Sequence, residues 1–201
     1  IVGGWLNTGS ANRSFIGGGK NNNVGSNSDL SSIVGGNCNI LGGESECSFI
    51  GGGTNNSIIG SNTSIVGGSC NGVNVGCYSF IGGGDNNTLE GNFQVVLGGC
   101  NNSIINNKSQ HSAILSGDSS SMCVTQFAHI GSGQYHCMLD SFWGSINSGY
   151  KNNMGSSCMT SIVGGCLNTA SSAISSFVGG GESNYIYQSR DSSIIGGTNN
   201  F

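Results

Sequence analysis

The sequence predicts an all-β fold, a parallel β-solenoid of about thirteen coils, each of about 16 residues with two short strands. Three observations predict it. An apolar pair followed by glycines recurs along the whole chain. Helix formers are scarce, and Gly or Asn interrupts every window long enough to carry a helical stripe. The chain is nevertheless 35% hydrophobic, at a fixed period, so it is not merely disordered.

Composition narrows the function classes. Gly, Ser and Asn make up 100 of the 201 residues. Only 7% are charged, the net charge is −4, and the five basic residues are scattered, which argues against a nucleic-acid partner. Proline is absent, so a collagen helix is excluded. No apolar run approaches the ~18 residues of a membrane span, so no membrane insertion is expected. The chain lacks an initiator Met and both ends fall within the repeat, so it is expected to be a segment, 1–201 as a single domain, of a longer fibre.

The repeat starts in order are Ile1-Val2, Phe15-Ile16, Ile33-Val34, Phe49-Ile50, Ile65-Val66, Phe80-Ile81 and Val96-Leu97. They continue at Ile114-Leu115, His129-Ile130, Ile146-Asn147, Ile162-Val163, Phe177-Val178 and Ile194-Ile195. A second signal lies between them: Asn, any residue, then an aliphatic, as in Asn56-Ser57-Ile58, Asn71-Gly72-Val73 and Asn184-Tyr185-Ile186. Each unit therefore reads as two short strands closed by Gly or Asn, which tolerate positive-φ corners. Such strands gain partners by stacking in register on the next unit, about 4.8 Å away. The pattern is least regular over 105–160, where the glycine pairs degrade.

Alternation assigns faces. With Ile33 inward, Ser32 and Val34 point outward. Aligned on the apolar pairs, the inward column mixes Ile and Phe. The third glycine of the Phe coils is then expected to let the backbone bow around the larger ring. The outward column becomes Val2, Ile16, Val34, Ile50, Val66, Ile81, Leu97, Leu115, Ile130, Val163, Val178 and Ile195, interrupted only by Asn147. Small residues, among them Ser14, Ser32, Ser48, Ser64, Ser79, Ala128 and Ser176, flank it. Outward positions of the second strand are more polar, as in Ser57/Ile59, Thr88/Glu90 and Thr169/Ser171. A continuous aliphatic stripe marks an interaction face, and self-association into a dimer or a three-fold bundle would bury it.

The motif Ser-Ser-Ile-Val-Gly-Gly…Asn-x-Ile-x-Gly (Ser31 to Gly36, Asn56 to Gly60, Ser64 to Gly68) resembles the head repeats of bacterial trimeric autotransporter adhesins and related viral fibre repeats. The resemblance covers nearly the whole chain. It implies a left-handed β-roll, a trimer packed along outward apolar side chains, and a cell-surface or virion location. The 16-residue coil, the nine cysteines and the Phe alternation depart from the adhesin pattern. The Asn-x-Val/Ile-x-Gly half-coil also resembles a plant ice-binding β-roll. That class meets ice with Thr and Val, whereas Thr is rare here, so ice binding is the alternative reading.

Other constellations carry less. Ile1-Val2-Gly3-Gly4, His111 and Ser116–Ser119 imitate a serine protease, but Ile-Val-Gly-Gly recurs at 33, 65 and 162 as a repeat element. Cys123, His129, His136 and Cys137 share one coil without the spacing of a zinc site; His129 and Cys137 read instead as inward substitutions. Asp85 alone approximates a calcium-loop aspartate, and only Glu44 and Glu46 form a close acid pair. No enzyme activity and no cofactor are expected. The nine cysteines read either as small buried thiols or as cross-coil disulfides, with Cys38/Cys70 and Cys100/Cys166 sharing phases. Sequons at Asn55, Asn62 and Asn86 are expected by chance at this composition. The expected function is a structural or adhesive fibre segment, with Tyr185 and Tyr187 available to a glycan or protein receptor.

Overall fold

A computed structural model describes residues 1–201. The chain is an all-β parallel solenoid of about twelve turns, without helix. It divides into two compact units, Ile1–Asn101 and Asn102–Phe201.

In the first unit the leading ladder comprises Phe15–Ile16, Ser32–Ile33, Phe49–Ile50, Ser64–Ile65, Phe80–Ile81 and Val95–Val96. The second ladder comprises Thr8–Gly9, Asn23–Val24, Ile40–Leu41, Ser57–Ile59, Gly72–Asn74 and Thr88–Leu89. The second unit repeats the plan. Its leading ladder is Ala113–Ile114, His129–Ile130, Ser145–Ile146, Ser161–Ile162, Phe177–Val178 and Ser193–Ile194. Its second ladder runs from Ser103–Ile105 through Ser121–Cys123, Cys137–Leu139, Asn153–Gly155 and Thr169–Ser171 to Tyr185–Tyr187. Every pairing is parallel and in register, as in Phe15↔Ser32 with Ile16↔Ile33. The first of the thirteen repeat starts, Ile1-Val2, forms no strand, although Val2 N–H donates to the Ile16 carbonyl at 2.9 Å.

Corners are made by left-handed residues. In the coil from Ser145 to Thr160 these are Gly149, Lys151, Ser156 and Met159, with φ of 106°, 51°, 47° and 50°. Glycine is obligatory at the first: a Cβ on Gly149 would stand 2.1 Å from the Gly165 carbonyl oxygen. Ordinary side chains hold the others at a cost of about 1–2 kcal/mol each, which their N–H bonds to Gln134, Leu139 and Phe142 of the preceding coil offset.

The core is thin, with two aliphatic columns per unit. One holds Ile16, Ile33, Ile50, Ile65, Ile81 and Val96, then Ile114, Ile130, Ile146, Ile162 and Val178 in the second unit, all buried. The other runs Val24, Leu41, Ile58, Val73 and Leu89, and in the second unit Ile104, Met122, Met138, Met154, Ala170 and Ile186. Between them the first unit buries an asparagine ladder of Asn22, Asn39, Asn56, Asn71 and Asn87. Asn39 shows why the residue suits the site. Its Nδ2 donates to the carbonyls of Gly35 and Gly53, both at 3.0 Å, and its Oδ1 accepts from Asn56 N–H at 3.0 Å. One amide thus satisfies Gly35 O and Asn56 N–H, which burial would otherwise leave unpaired, and adds a second bond to Gly53 O, which already accepts from Asn37 N–H at 2.9 Å. Hydroxyls do the same at the opposite corner, where Thr63 N–H donates to Ser48 Oγ at 3.2 Å and Ser48 Oγ donates to Gly60 O at 2.8 Å.

The spacing is uneven in an informative way. Asn22, Asn39, Asn56 and Asn168 each lie six residues after the inward aliphatic of the leading strand, and the second inward aliphatic follows two later. All variation in coil length falls on the remaining side, between the second strand and the next leading strand.

Candidate association face

The register of the leading ladder decides what faces outward. Ile16 pairs with Ile33, not with Val34, and Ile50 pairs with Ile33 and Ile65. The Phe coils are therefore displaced by one residue from the alignment on apolar pairs. Phe15 and Phe49 stand opposite Ser32 and Ser64 on the outside, and Ile16 and Ile50 enter the core.

This corrects five of the twelve expected interface residues. Ile16, Ile50, Ile81, Ile130 and Val178 are at most 1% exposed and pack inside their own chain. The flanking residues Ser48, Ser79, Ala128 and Ser176 are buried for the same reason. The other seven, Val2, Val34, Val66, Leu97, Leu115, Val163 and Ile195, are exposed, Val34 and Val66 at 50%. The face also displays Phe15, Phe49 and Phe177, which the apolar-pair alignment turned inward. The constant six-residue step from the inward aliphatic to Asn would have revealed them, because Phe-Ile-Gly-Gly-Gly and Ser-Ile-Val-Gly-Gly coincide when aligned on Asn22 and Asn39.

Two outward flanks result, two residues apart on each strand. Flank A of the first unit reads Phe15, Ser32, Phe49, Ser64, Phe80, Val95, and flank B reads Gly17, Val34, Gly51, Val66, Gly82, Leu97. The additional glycine of a Phe coil, the first of its three, is thus the counterpart of Val34. It does not relieve an inward ring. A Cβ on Gly17 would lie 2.4 Å from the Val34 carbonyl oxygen and 3.2 Å from the Phe15 ring, so the ring lies against the bare backbone. In the second unit flank A is Ala113, His129, Ser145, Ser161, Phe177, Ser193, and flank B is Leu115, Gly131, Asn147, Val163, Gly179, Ile195. Eleven of the twelve coils couple one bulky outward group with one small one; the coil of Val95 and Leu97 is the exception. None of the fourteen Asp, Glu, Lys and Arg residues occupies either flank.

The second strand is as expected: Ile58, Leu89 and Ala170 are buried, while Ser57, Ile59, Thr88, Glu90, Thr169 and Ser171 are at least partly exposed. Tyr187 is exposed and stacks on Tyr185 at 5.8 Å, beside an open cleft that Ser192 and Phe201 also line. An aromatic column at one corner was not foreseen. His111 stacks on Phe127 at 4.9 Å, and Phe127 on Trp143 at 5.9 Å. These rings cover one another's faces, the surfaces a stacked ligand needs.

The remaining polar candidates do not converge. His129 and Cys137 point outward, contrary to the inward assignment, whereas His136 is buried in the asparagine ladder. No three His, Cys, Asp or Glu side chains lie together as a metal set. All nine cysteines are free and none is buried, so they are neither core fillers nor cross-coil disulfides in this structure. Asn55, Asn62 and Asn86 are exposed at positive-φ corners.

His136 has a distinctive environment. Its Nδ1 accepts from Asn152 N–H at 3.2 Å, which fixes the proton on Nε2, and Nε2 finds no partner of good geometry. Burial lowers its pKa below the ordinary 6.5, against smaller opposing contributions from the backbone of Ser132, Asn152 and Gly149.

Compared with known proteins, the chain matches no family profile, and no curated protein matches it significantly.

Proposed function

We propose that the chain is a structural segment of a cell-surface or virion fibre that associates with copies of itself through the outward face of the leading ladder. The observation that carries this reading is a face of exposed apolar groups, about one per coil, from which every formal charge is absent. Exposed apolar area on that scale favours burial against a partner. The resemblance to adhesin heads supplies the location and the left-handed coil; the adhesin heads themselves are trimers. In such a fibre the solenoid contributes length and stiffness and is not an enzyme. The more polar second-strand face and the Tyr185–Tyr187 pair remain available to a glycan or protein receptor.

Sedimentation at micromolar concentration tests the reading: an oligomer is expected, and Val66→Asp should dissociate it. A wild-type monomer would refute self-association. The regular, charge-free face also supports the ice-binding alternative, although flank B carries Val and Leu without a single Thr. Inhibition of ice recrystallisation by the monomer at low concentration would favour that alternative.

A further inference from the structure

We infer that two chains pair face to face, like unit on like unit, each pair of units about a two-fold axis parallel to that unit's own coil stack, flank A of each lying opposite flank B of the other at the same level. This rests on the self-association proposed above and specifies its geometry.

Charge permits this face, as it nearly permits the outward side of the second ladder, where Glu90 is the single charged residue. Two copies of net charge −4 repel, and the fourteen charged side chains all lie off flanks A and B. An approach through this face desolvates no formal charge, so it avoids the penalty that opposes burial elsewhere.

Shape selects the symmetry. Most coils carry their outward bulk as one group, commonly a Phe laid against a glycine two residues on or an aliphatic beside a serine; the coil of Val95 and Leu97 carries two. The ring of Phe49 lies 3.3 Å from the Cβ position of Gly51, and the Phe177 ring lies 3.2 Å from that of Gly179. A half-turn about an axis along the stack reverses left and right but preserves level. Val66 of one copy then meets Ser64 of the other, and at the next Phe level two rings, each supported by its own glycine, meet near the axis. Large meets small at the Ser levels and flat meets flat at the Phe levels, with no stagger between chains. The wet coil of the second unit also fits, because Asn147 comes opposite Ser145, which can hydrogen-bond with it. A three-fold axis would bring one flank of every chain to the centre, three valines at one level and three glycines at the next, leaving the other flank uncovered.

The area suffices. Four residues on a coil side and 4.8 Å between coils give about 60 Å² per coil. The six coils of each unit thus offer about 360 Å², and the two units together about 720 Å² per partner, within the roughly 600–1,000 Å² per partner of a standard interface.

The test uses the intact chain and two outward positions, the exposed Val66 and the half-buried Ser64, neither of which lies in the core. Native mass spectrometry at micromolar concentration should give twice the chain mass of 20.3 kDa. Val66→Asp and Ser64→Lys should each reduce the dimer at least tenfold, with circular dichroism unchanged. An equimolar mixture of the two variants should recover dimer, because the new acid and the new base come opposite each other. A wild-type trimer, or a wild-type dimer whose variants fail to recombine, overturns the pairing while leaving self-association standing. A wild-type monomer overturns both.

Discussion

The ring of Phe49 rests on the backbone of Gly51, its nearest atom 3.3 Å from where a β-carbon there would stand, while the same point is 2.3 Å from the carbonyl oxygen of Val66. Glycine is thus required twice over, by the coil beneath and by the ring outside. Gly51→Ala should lower unfolding free energy by about 1–3 kcal/mol, measured by urea denaturation of the monomeric Val66→Asp background. An unchanged midpoint would mean that the coil spacing relaxes freely.

The two faces of one coil should respond differently to the same charge. Thr169→Asp lies on an outward, half-buried position of the second ladder. It should leave the oligomer intact, whereas Val163→Asp on flank B should dissociate it. Sedimentation velocity reads both, and equal effects would deny the leading face its role.

Asn168 joins its neighbours through bonds to Gly164 O at 2.9 Å and Gly181 O at 3.1 Å and by accepting from Asn184 N–H at 3.0 Å. Asn168→Leu keeps the branching and number of side-chain atoms but leaves two backbone groups, Gly164 O and Asn184 N–H, unpaired, since Gly181 O still accepts from Cys166 N–H. The expected loss is about 3 kcal/mol or more, and amide exchange should show accelerated opening at Asn184.

Much of this was legible in the chain. The solenoid, its two strands and the inward Ile58, Leu89 and Ala170 follow from period and alternation alone. The error concerned the Phe coils, where two apolar residues in succession left a one-residue slip undetermined and hydrophobicity favoured the larger ring for the core. Ile16 enters instead because the fixed step to Asn22 sets the phase, and the core, only two aliphatic columns wide, takes the smaller side chain. His129 and Cys137 were misplaced by related errors of phase. The buried asparagine column itself was read only as a turn signal, since polar residues in a core are recognisable only through the carbonyls they serve.

His136 makes stability pH-dependent. The unfolded imidazole binds a proton below about 6.5, whereas burial keeps the folded one neutral to lower pH. In that window the unfolded state binds more protons, so stability falls as pH falls below about 6.5. Protonated Nδ1 would also confront Asn152 N–H with a donor. Thermal unfolding at pH 5 and 7.5 should show this loss, and His136→Asn, which restores the ladder residue, should diminish it.

Cys47, Cys70 and Cys137 are exposed free thiols. They should react with a water-soluble disulfide reagent in the native protein, without prior unfolding and without change in circular dichroism. Resistance of all three would place them against another surface.

Because coil length varies only between the second strand and the next leading strand, that one edge is where sequence can be added. An extra residue elsewhere would carry an amide past the carbonyls awaiting it and dislocate every later rung, whereas here it merely lengthens an outer bend. Grafted peptides or recognition loops are therefore tolerated along a single seam, and natural diversification of such repeats has only that edge on which to work.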